Sequence, residues 1–395
     1  MLRVIVFFNA FLWIVFPSTS LFLLKLILLL ILFSYPFMKN GLKIDLTTIT
    51  FFSIVCCFLI AFPLYSEVIG FSENLDSTVV VRNILIILMF VLIIDIYIGN
   101  SLFSYSDYFR YVIYSCFLYS ILKFLIFFLI LIGFLDPFMF LPALGEFIPG
   151  MVHQIFPGGG ILYRLASSSD IIVATCFCML VIKPRLLNVN RTIFILIILF
   201  FIFVIIQSYT RFLWLLGITC IFYRIILSIK KPMVLALTLI LFSSFSVYLI
   251  NNIADKESPV NIIATRFNDT HSLDIKMIQS EKLLAEFYKT PIFGKGSGSY
   301  VPGYVRDERQ KYQYENQIIS SLMQFGVVGF TFLLVLPFSI FFRLLSINVL
   351  SGYVLSGVFL LFILSGFSNP NLTIISSCFI YSLFYSYKYY LNRTA

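Results

Sequence analysis

Three arginines lie where long apolar runs of the chain meet polar segments. Arg164 occurs in "GGGILYRLASSSD" before an apolar run, Arg211 occurs in "QSYTRFLWLLG" between two runs, and Arg266 occurs in "NIIATRFNDTHS" within a long polar segment. A guanidinium group is planar and carries five N–H donors, so it binds phosphate or pyrophosphate oxygens two at a time. These residues are therefore candidates for binding a phosphorylated group. For Arg211 the alternative is an anchor whose charge lies at a membrane surface.

Glu315 is the best-placed candidate for a general base that takes a proton from a hydroxyl group. It occurs in "YQYENQIISS", where the polar segment gives way to an apolar run. His271 is the next candidate for this role. The alternative for Glu315 is a solvated acid near the start of a helix, where negative charge is favoured. The neighbouring Tyr314 suits either a sugar-binding face or an interfacial aromatic belt.

The segment "TPIFGKGSGS" combines a lysine with several glycines. It lacks the G-x-x-x-x-G-K-[ST] spacing of phosphate loops that bind ATP, so we reject that interpretation. The simplest interpretation is a tight turn in which Gly294 and Gly296 allow a close approach of the backbone to the membrane or a ligand. A second interpretation is that the backbone amides of this turn bind an anion.

The composition excludes a soluble globular domain. Of the 395 residues, 61% are hydrophobic and 11% are charged, whereas soluble domains carry about 25% charged residues. Runs such as "TIFILIILFFIFVII" are typical of membrane helices, which need roughly 20 residues to span the hydrocarbon. The sequence predicts an all-α, polytopic integral membrane protein with about twelve membrane helices. The expected spans lie near residues 4–17, 21–38, 48–66, 81–99, 111–135, 169–184, 192–209, 212–229, 232–250, 317–340, 346–366 and 372–389.

The charged residues predict the orientation of the chain. The net charge is +9, but most Lys and Arg residues fall in short connectors, so they indicate topology rather than a nucleic-acid partner. These connectors predict that both termini are cytoplasmic. The seven cysteines lie in apolar runs and indicate no disulfide framework. The first apolar run resembles a signal peptide, but a second run follows at once, so we expect a membrane helix.

Two long connectors lie on the opposite, extracytoplasmic side, at about residues 136–168 and 251–316. The second carries nine basic and nine acidic residues, and a long loop of balanced charge is translocated whatever its lysine content. Residues 272–289 within it show the period of an amphipathic helix. We therefore expect a transmembrane bundle over 1–250, a large periplasmic loop with short helices over 251–316, and C-terminal membrane helices over 317–395.

The order of these motifs resembles the shared C-terminal core of bacterial O-antigen polymerases and O-antigen ligases. In that family an arginine opens the large outer loop, a helix follows, and then come a P-x-x-G-x-G turn and a [HED]-N pair that starts the next membrane helix, with two later glycines. The residues similar to this pattern are Arg266, Pro291, Gly294, Gly296, Glu315, Asn316, Gly326 and Gly329. Arg211 and Arg164 resemble the arginines of two further family segments. The resemblance covers about residues 160–330.

The resemblance implies an inverting glycosyltransferase that acts on undecaprenyl-pyrophosphate-linked oligosaccharides at the periplasmic face of the bacterial inner membrane. Besides this substrate and the lipid bilayer, it implies a chain-length regulator and a flippase as partners. No metal-ligand cluster is evident, so we expect a reaction without a metal or another cofactor. We assign Glu315, Arg211 and Arg266 as catalytic residues. The expected substrate-binding residues are Arg164, Lys276, Gly294, Gly296, Tyr314, Asn316 and His271.

Two departures from the family pattern bear on the reaction. Lys276 occupies a position where many relatives have Arg, which puts its role in question, and Glu315 occupies one where ligases usually have His. The second departure favours a polymerase over a ligase that transfers the same donor to lipid A core. A flippase or transporter is the alternative from another class, but it would place charges at the bilayer midplane and show an internal repeat. Lys123 lies deep in an apolar run, with no evident partner.

Overall fold

The structure is a computed structural model that describes residues 2–17, 21–38, 46–69, 74–148, 152–155, 163–228, 271–305, 310–347, 349–367 and 369–394. Most residues in these ranges are helical. The helices are α1 (Leu2–Val15), α2 (Phe22–Met38), α3 (Leu46–Ile69), α4 (Asn74–Gly99), α5 (Tyr105–Leu131), α6 (Pro137–Phe147), α7 (Ser169–Ile182), α8 (Arg191–Gln207), α9 (Arg211–Ser228), α10 (His271–Phe287), α11 (Gln317–Leu345), α12 (Leu350–Leu364), α13 (Cys378–Tyr385) and α14 (Lys388–Thr394). The strands are β1 (Val152–Ile155) and β2 (Tyr163–Ala166).

Five helices in the described ranges are long and apolar enough to cross a membrane. They cover Phe52–Ile69, Asp76–Gly99, Tyr105–Leu131, Gln317–Leu345 and Leu350–Phe367. Shorter apolar helices cover Leu2–Val15, Phe22–Tyr35, Asp170–Ile182 and Arg191–Gln207. The helical class is therefore confirmed, while the expected count of about twelve spans stays a prediction. The span expected near 232–250 lies outside the described residues.

Many large apolar side chains point away from the protein interior. Leu23 is 71% exposed, Phe134 is 75% exposed and Val68 is 87% exposed. In water such exposure costs about 25 cal/mol per Å² of apolar surface. A hydrocarbon surrounding removes that cost, and these helix faces therefore fit contact with lipid.

The chain forms two compact units. The first unit comprises Met1–Trp13, Leu21–Val112 and Ser272–Ala395, and the second comprises Ile14–Ser20 and Ile113–His271. In the first unit α4 packs against α2, α3 and α13, and α11 packs against α3, α12 and α13. In the second unit α7 packs against α8 and α9, and α8 also contacts β2. The expected domain boundaries at residues 250 and 316 stay predictions.

Helix α11 is kinked at Gly326, where the glycine-rich segment 290–299 packs against it. Gly326 has φ 62° and ψ −173°, a conformation that interrupts the helical hydrogen bonds. The backbone groups near the kink therefore find partners in the neighbouring segment. Four hydrogen bonds of 2.8–3.1 Å join the two, from the amides of Val327, Val328, Lys295 and Gly296 to the carbonyls of Pro291, Ile292, Met323 and Gln324, respectively.

Gly294 and Gly326 meet at this junction with no room for a side chain. A Cβ atom on Gly294 would lie 2.4 Å from the amide nitrogen of Gly326, and one on Gly326 would lie 2.3 Å from the carbonyl oxygen of Ile292. Both glycines have positive φ, which side-chain-bearing residues rarely adopt. The P-x-x-G-x-G turn and Gly326 of the motif thus form one packed joint, here named the glycine joint (residues 290–299 with 323–328).

The connector over residues 136–168 contains more regular structure than expected. Helix α6 begins after Asp136, whose carboxylate accepts a hydrogen bond from the Phe138 amide at 2.9 Å, with a proline at the first helical position. Strands β1 and β2 pair antiparallel, with Gln154 opposite Arg164. This short hairpin was not predicted from the sequence, and it leaves the all-α class unchanged. Strands of four residues are too short for alternation in the sequence to indicate them.

Candidate functional site

Strand β2 brings Arg164 to the turn that precedes Arg211. The Nε atom of Arg164 donates a hydrogen bond to the Ser208 carbonyl oxygen at 3.0 Å. The turn is held by the Thr210 amide, which donates to Ser208 Oγ at 3.3 Å. Tyr209 within it has φ 47°, and Arg211 begins α9. In the second unit, Arg164 therefore contacts the same turn that Arg211 directly follows.

Both Arg164 and Arg211 are half-buried. Partial removal from water strengthens the attraction between a guanidinium group and an anion. The bond from Arg164 to the Ser208 carbonyl also restricts the plane of its guanidinium group before any ligand binds. The arrangement is chemically suited to binding phosphate oxygens, and that role stays a proposal.

Lys123, for which the sequence indicated no partner, forms a buried ion pair with Asp170. The Nζ atom lies 2.9 and 3.1 Å from the two carboxylate oxygens, and each side chain is 2% exposed. The Tyr119 hydroxyl donates to the same carboxylate at 2.7 Å, and the Ser167 amide donates to it at 3.1 Å. Ser167 follows β2 directly, so this network fixes the end of the strand that carries Arg164.

In the first unit Glu315 forms an ion pair with Lys276 just before α11. The Lys276 Nζ atom lies 3.4 Å from Glu315 Oε2, and the side chains are 26% and 27% exposed. Two expected site residues, one on α10 and one at the start of α11, are thus brought together. At this exposure the pair contributes little stability, but it offsets the charge of a carboxylate that solvent still reaches.

Asn316 anchors the start of α11. Its side chain accepts a hydrogen bond from the Ile319 amide at 3.2 Å, which makes it the helix N-cap. Its Nδ2 atom donates to Ser280 Oγ at 3.0 Å, and its own amide donates to Gln279 Oε1 at 3.0 Å. These contacts bind α10 to α11 and fix the backbone next to Glu315. Contact between Asn316 and substrate stays a prediction.

The amides of the glycine-rich turn are occupied within the protein. The Gly294 amide donates to the Thr290 carbonyl at 2.9 Å, and the Gly298 amide donates to Gln324 Oε1 at 3.2 Å. The amides of Lys295 and Gly296 donate to α11 in the glycine joint. An anion-binding turn needs amides that point toward the ligand, so this geometry argues against that interpretation and gives Gly294 and Gly296 a packing role.

Tyr314 is buried and holds the loop together. Its side chain packs with Leu283, Val301 and Met323. Its hydroxyl accepts a hydrogen bond from the Val301 amide at 2.7 Å and donates to the Tyr304 carbonyl at 3.2 Å. Burial raises the pKa of this phenol. The hydroxyl of Tyr314 thus has internal partners, and its expected role as a sugar-binding face stays a prediction.

Arg82 was not singled out from the sequence, although the structure gives it features of a binding residue. Its guanidinium carbon lies 4.6 Å from the centroid of the Phe22 ring. Its Nε atom is buried and has no hydrogen-bond partner among the described residues. Burial raises the pKa of Tyr312 to about 12; Asp76 adds to the rise and Arg82 opposes it. The available signal was a charge near the start of the apolar run "VVVRNILIILMF".

The structure describes the remaining expected site residues only in part. Arg266 lies outside the described residues, and only the backbone of His271, at the start of α10, is described. The expected convergence of three arginines therefore stays a prediction. Within the described ranges, no group of three or more His, Cys, Asp or Glu residues is arranged to hold a metal ion.

Comparison with known proteins identifies the central part of the chain. Residues 160–334 match the family model described as O-antigen ligase. This range nearly coincides with the resemblance at residues 160–330, and it contains both the turn of Arg211 and the ion pair of Glu315. No curated protein sequence matches the chain. The family match, together with the apolar helices, supports a multi-pass membrane protein of the O-antigen polymerase and ligase superfamily.

Proposed function

We propose that the chain is a surface-polysaccharide polymerase at the periplasmic face of the bacterial inner membrane. It transfers a growing glycan from undecaprenyl pyrophosphate to the non-reducing end of a new lipid-linked repeat unit. The observation that carries the proposal is the ion pair of Glu315 and Lys276 at the start of α11. It holds a partly exposed carboxylate at the motif position where the resemblance expects a reactive group.

The arginines serve the leaving group in this proposal. The bond between the anomeric carbon of the donor sugar and the pyrophosphate oxygen breaks, and its electron pair goes to the pyrophosphate. Arg164, Arg211 and Arg266 stabilise the negative charge that develops there. Removing one such donor from an enzyme typically lowers the rate by about 10²–10³-fold.

Glu315 serves the acceptor sugar. The acceptor hydroxyl oxygen bonds to the anomeric carbon on the side opposite the leaving group, so the configuration inverts. Glu315 takes the proton that this oxygen loses. Lys276 orients the carboxylate and offsets its charge until the proton arrives. The step needs no metal and no other cofactor.

The second candidate is an O-antigen ligase, because that is the description of the matching family. Glu315 at the position where ligases usually carry His favours the polymerase. A flippase is less well supported, since its charges would be expected at the bilayer midplane. Lys276 instead lies on α10, and Glu315 lies just before α11.

The test is the lipopolysaccharide pattern of cells that lack the gene. A polymerase deletion leaves core carrying a single repeat. A ligase deletion leaves bare core with polymer on the carrier, and a flippase deletion leaves bare core without periplasmic polymer. We expect the single-repeat pattern, and either of the other patterns contradicts the proposal.

The same strain tests the proposed base. A Glu315→Gln allele should leave the single-repeat pattern, because the amide cannot accept the proton, while a Glu281→Gln allele should restore long polymer. Glu281 is an exposed carboxylate on the same helix as Lys276. Long polymer from the Glu315→Gln allele at normal protein abundance would assign the base elsewhere.

A further inference from the structure

A polar cavity in the first unit, here named the amide pocket, lies between the start of α4 and the N-terminal half of α11. Five amide side chains line it, namely Asn83, Gln310, Gln313, Gln317 and Gln324. Hydroxyl groups of Tyr312, Ser320, Ser321 and Thr373 are also in its wall. No charged side chain belongs to the lining among the described residues.

This lining selects for an uncharged, hydroxyl-rich ligand. Amide and hydroxyl side chains both donate and accept hydrogen bonds, as the hydroxyl groups of a sugar do. A pyrophosphate would need arginines, lysines or directed backbone amides, and arginine and lysine side chains are absent from the described part of the pocket wall. The amide pocket therefore fits the sugar part of a lipid-linked glycan rather than its phosphates.

Two of the amides form a fixed wall. Gln324 Nε2 donates to Ser320 Oγ at 3.1 Å and to the Tyr312 carbonyl at 3.2 Å. Gln317 donates to Thr373 Oγ1 and accepts from the Leu372 amide at 2.7 Å. These bonds hold the wall before a ligand arrives, which lowers the entropy lost on binding. Asn83, Gln310 and Gln313, each half-buried, complete the lining.

A second cavity adjoins the amide pocket and is apolar. The two share Ser321 and Thr373, and the second extends along Leu59, Ile87 and Leu336 of α3, α4 and α11. Glu315 directly follows Tyr314, which lines the amide pocket, so the proposed base lies next to it.

We propose that the amide pocket binds the terminal sugar of the lipid-linked acceptor. This inference rests on the proposed polymerase function and adds the acceptor site to it. Asn83 and Gln313 are the residues that read the sugar hydroxyls.

Binding measurements on the full-length protein in nanodiscs test this assignment. The probes are the lipid-linked repeat accumulated by cells that lack the gene and sugar-free undecaprenyl pyrophosphate. The double variant Asn83→Ala/Gln313→Ala should raise the Kd for the lipid-linked repeat about tenfold or more, since each neutral hydrogen bond contributes about 0.5–1.5 kcal/mol. Its Kd for undecaprenyl pyrophosphate should not change. Asn188→Ala, which removes an exposed amide, should change neither Kd.

The variant Gln313→Glu is the control for misfolding, because it keeps the shape of the side chain and removes its amide donors. It should weaken binding of the repeat at an unchanged melting temperature. Wild-type affinity for the repeat in both pocket variants, or an equal loss for both probes, would overturn the acceptor site and leave the polymerase proposal intact. A wild-type protein that binds no lipid-linked repeat would overturn both.

Discussion

The buried ion pair of Lys123 and Asp170 helps to position a residue outside the pair, Arg164. Taking two charges out of water costs several kcal/mol per ion, and this is offset only where the remaining hydrogen-bonding capacity is used. Here the Asp170 carboxylate accepts hydrogen bonds from the Lys123 ammonium group, the Tyr119 hydroxyl and the Ser167 amide. The network fixes the residue after β2 and thereby the strand that presents Arg164.

Removal of one partner of this pair should be far more damaging than removal of both. We expect Lys123→Met to destabilise the protein by about 3–5 kcal/mol, because a buried carboxylate then lacks its counter-charge. The double variant Lys123→Met/Asp170→Asn, which keeps the acceptor for Tyr119 but carries neither charge, should recover most of the loss. Thermal unfolding in detergent micelles measures both. Wild-type stability of the single variant would show that the pair carries no structural role.

At the scale of elements, the glycine joint determines where the loop meets the membrane helix. Gly294 and Gly326 have positive φ, and a Cβ atom added to either would lie less than 3 Å from backbone atoms. The hydrogen bonds across the joint replace those that the kink in α11 interrupts. Glu315 lies in the sequence between the two segments that the joint connects.

A single methyl group at this joint should disrupt it. Gly326→Ala and Gly294→Ala should each destabilise the protein by about 2 kcal/mol or more, from backbone strain and overpacking. Gly357→Ala is the matched control, because a Cβ atom there meets nothing within 4 Å. Melting temperatures of the purified variants are the measurement. A Gly294→Ala protein that melts like the wild type yet loses activity would assign this glycine to the substrate instead.

The elements differ in how far the sequence predicts them. Apolar length alone predicted α8 and α9, expected at 192–209 and 212–229 and observed at Arg191–Gln207 and Arg211–Ser228, because a membrane helix needs little more than hydrophobic residues. The kink at Gly326 was not predicted, since its cause is a loop that packs from 30 residues away in sequence. The β1–β2 hairpin was missed because its strands are four residues long.

The site shows the same contrast. The order of the motifs alone assigned Glu315 and Lys276 to one predicted site. In the structure the Lys276 Nζ atom lies 3.4 Å from Glu315 Oε2. The contact of Arg164 with the Ser208 carbonyl and the pair of Lys123 with Asp170 span 44 and 47 residues. Neither leaves a periodic pattern in the sequence. Arg82 went unnoticed because one charge at the end of an apolar run is commonly an interfacial anchor.

At the scale of the whole molecule, the chain forms two compact units, each built from separate stretches of the sequence. Met1–Trp13 and Leu21–Val112 join the C-terminal part in one unit, and the turn before Arg211 lies in the other. Composition cannot predict this grouping, because all the helices are similarly apolar and their pairing depends on side-chain packing. The family match at residues 160–334 includes segments of both units.

The central claim is that guanidinium groups at the membrane boundary support transfer of a lipid-linked glycan. The direct measurement is the initial rate of polymer formation by purified protein in liposomes supplied with the lipid-linked repeat. We predict elongation by the wild type and by Arg224→Lys, an exposed arginine on the same helix. Arg211→Lys should be slower by about 10²-fold, because it keeps the charge and loses the paired donors. Absence of polymer with the wild type, or equal rates for Arg211→Lys and the wild type, would contradict the account.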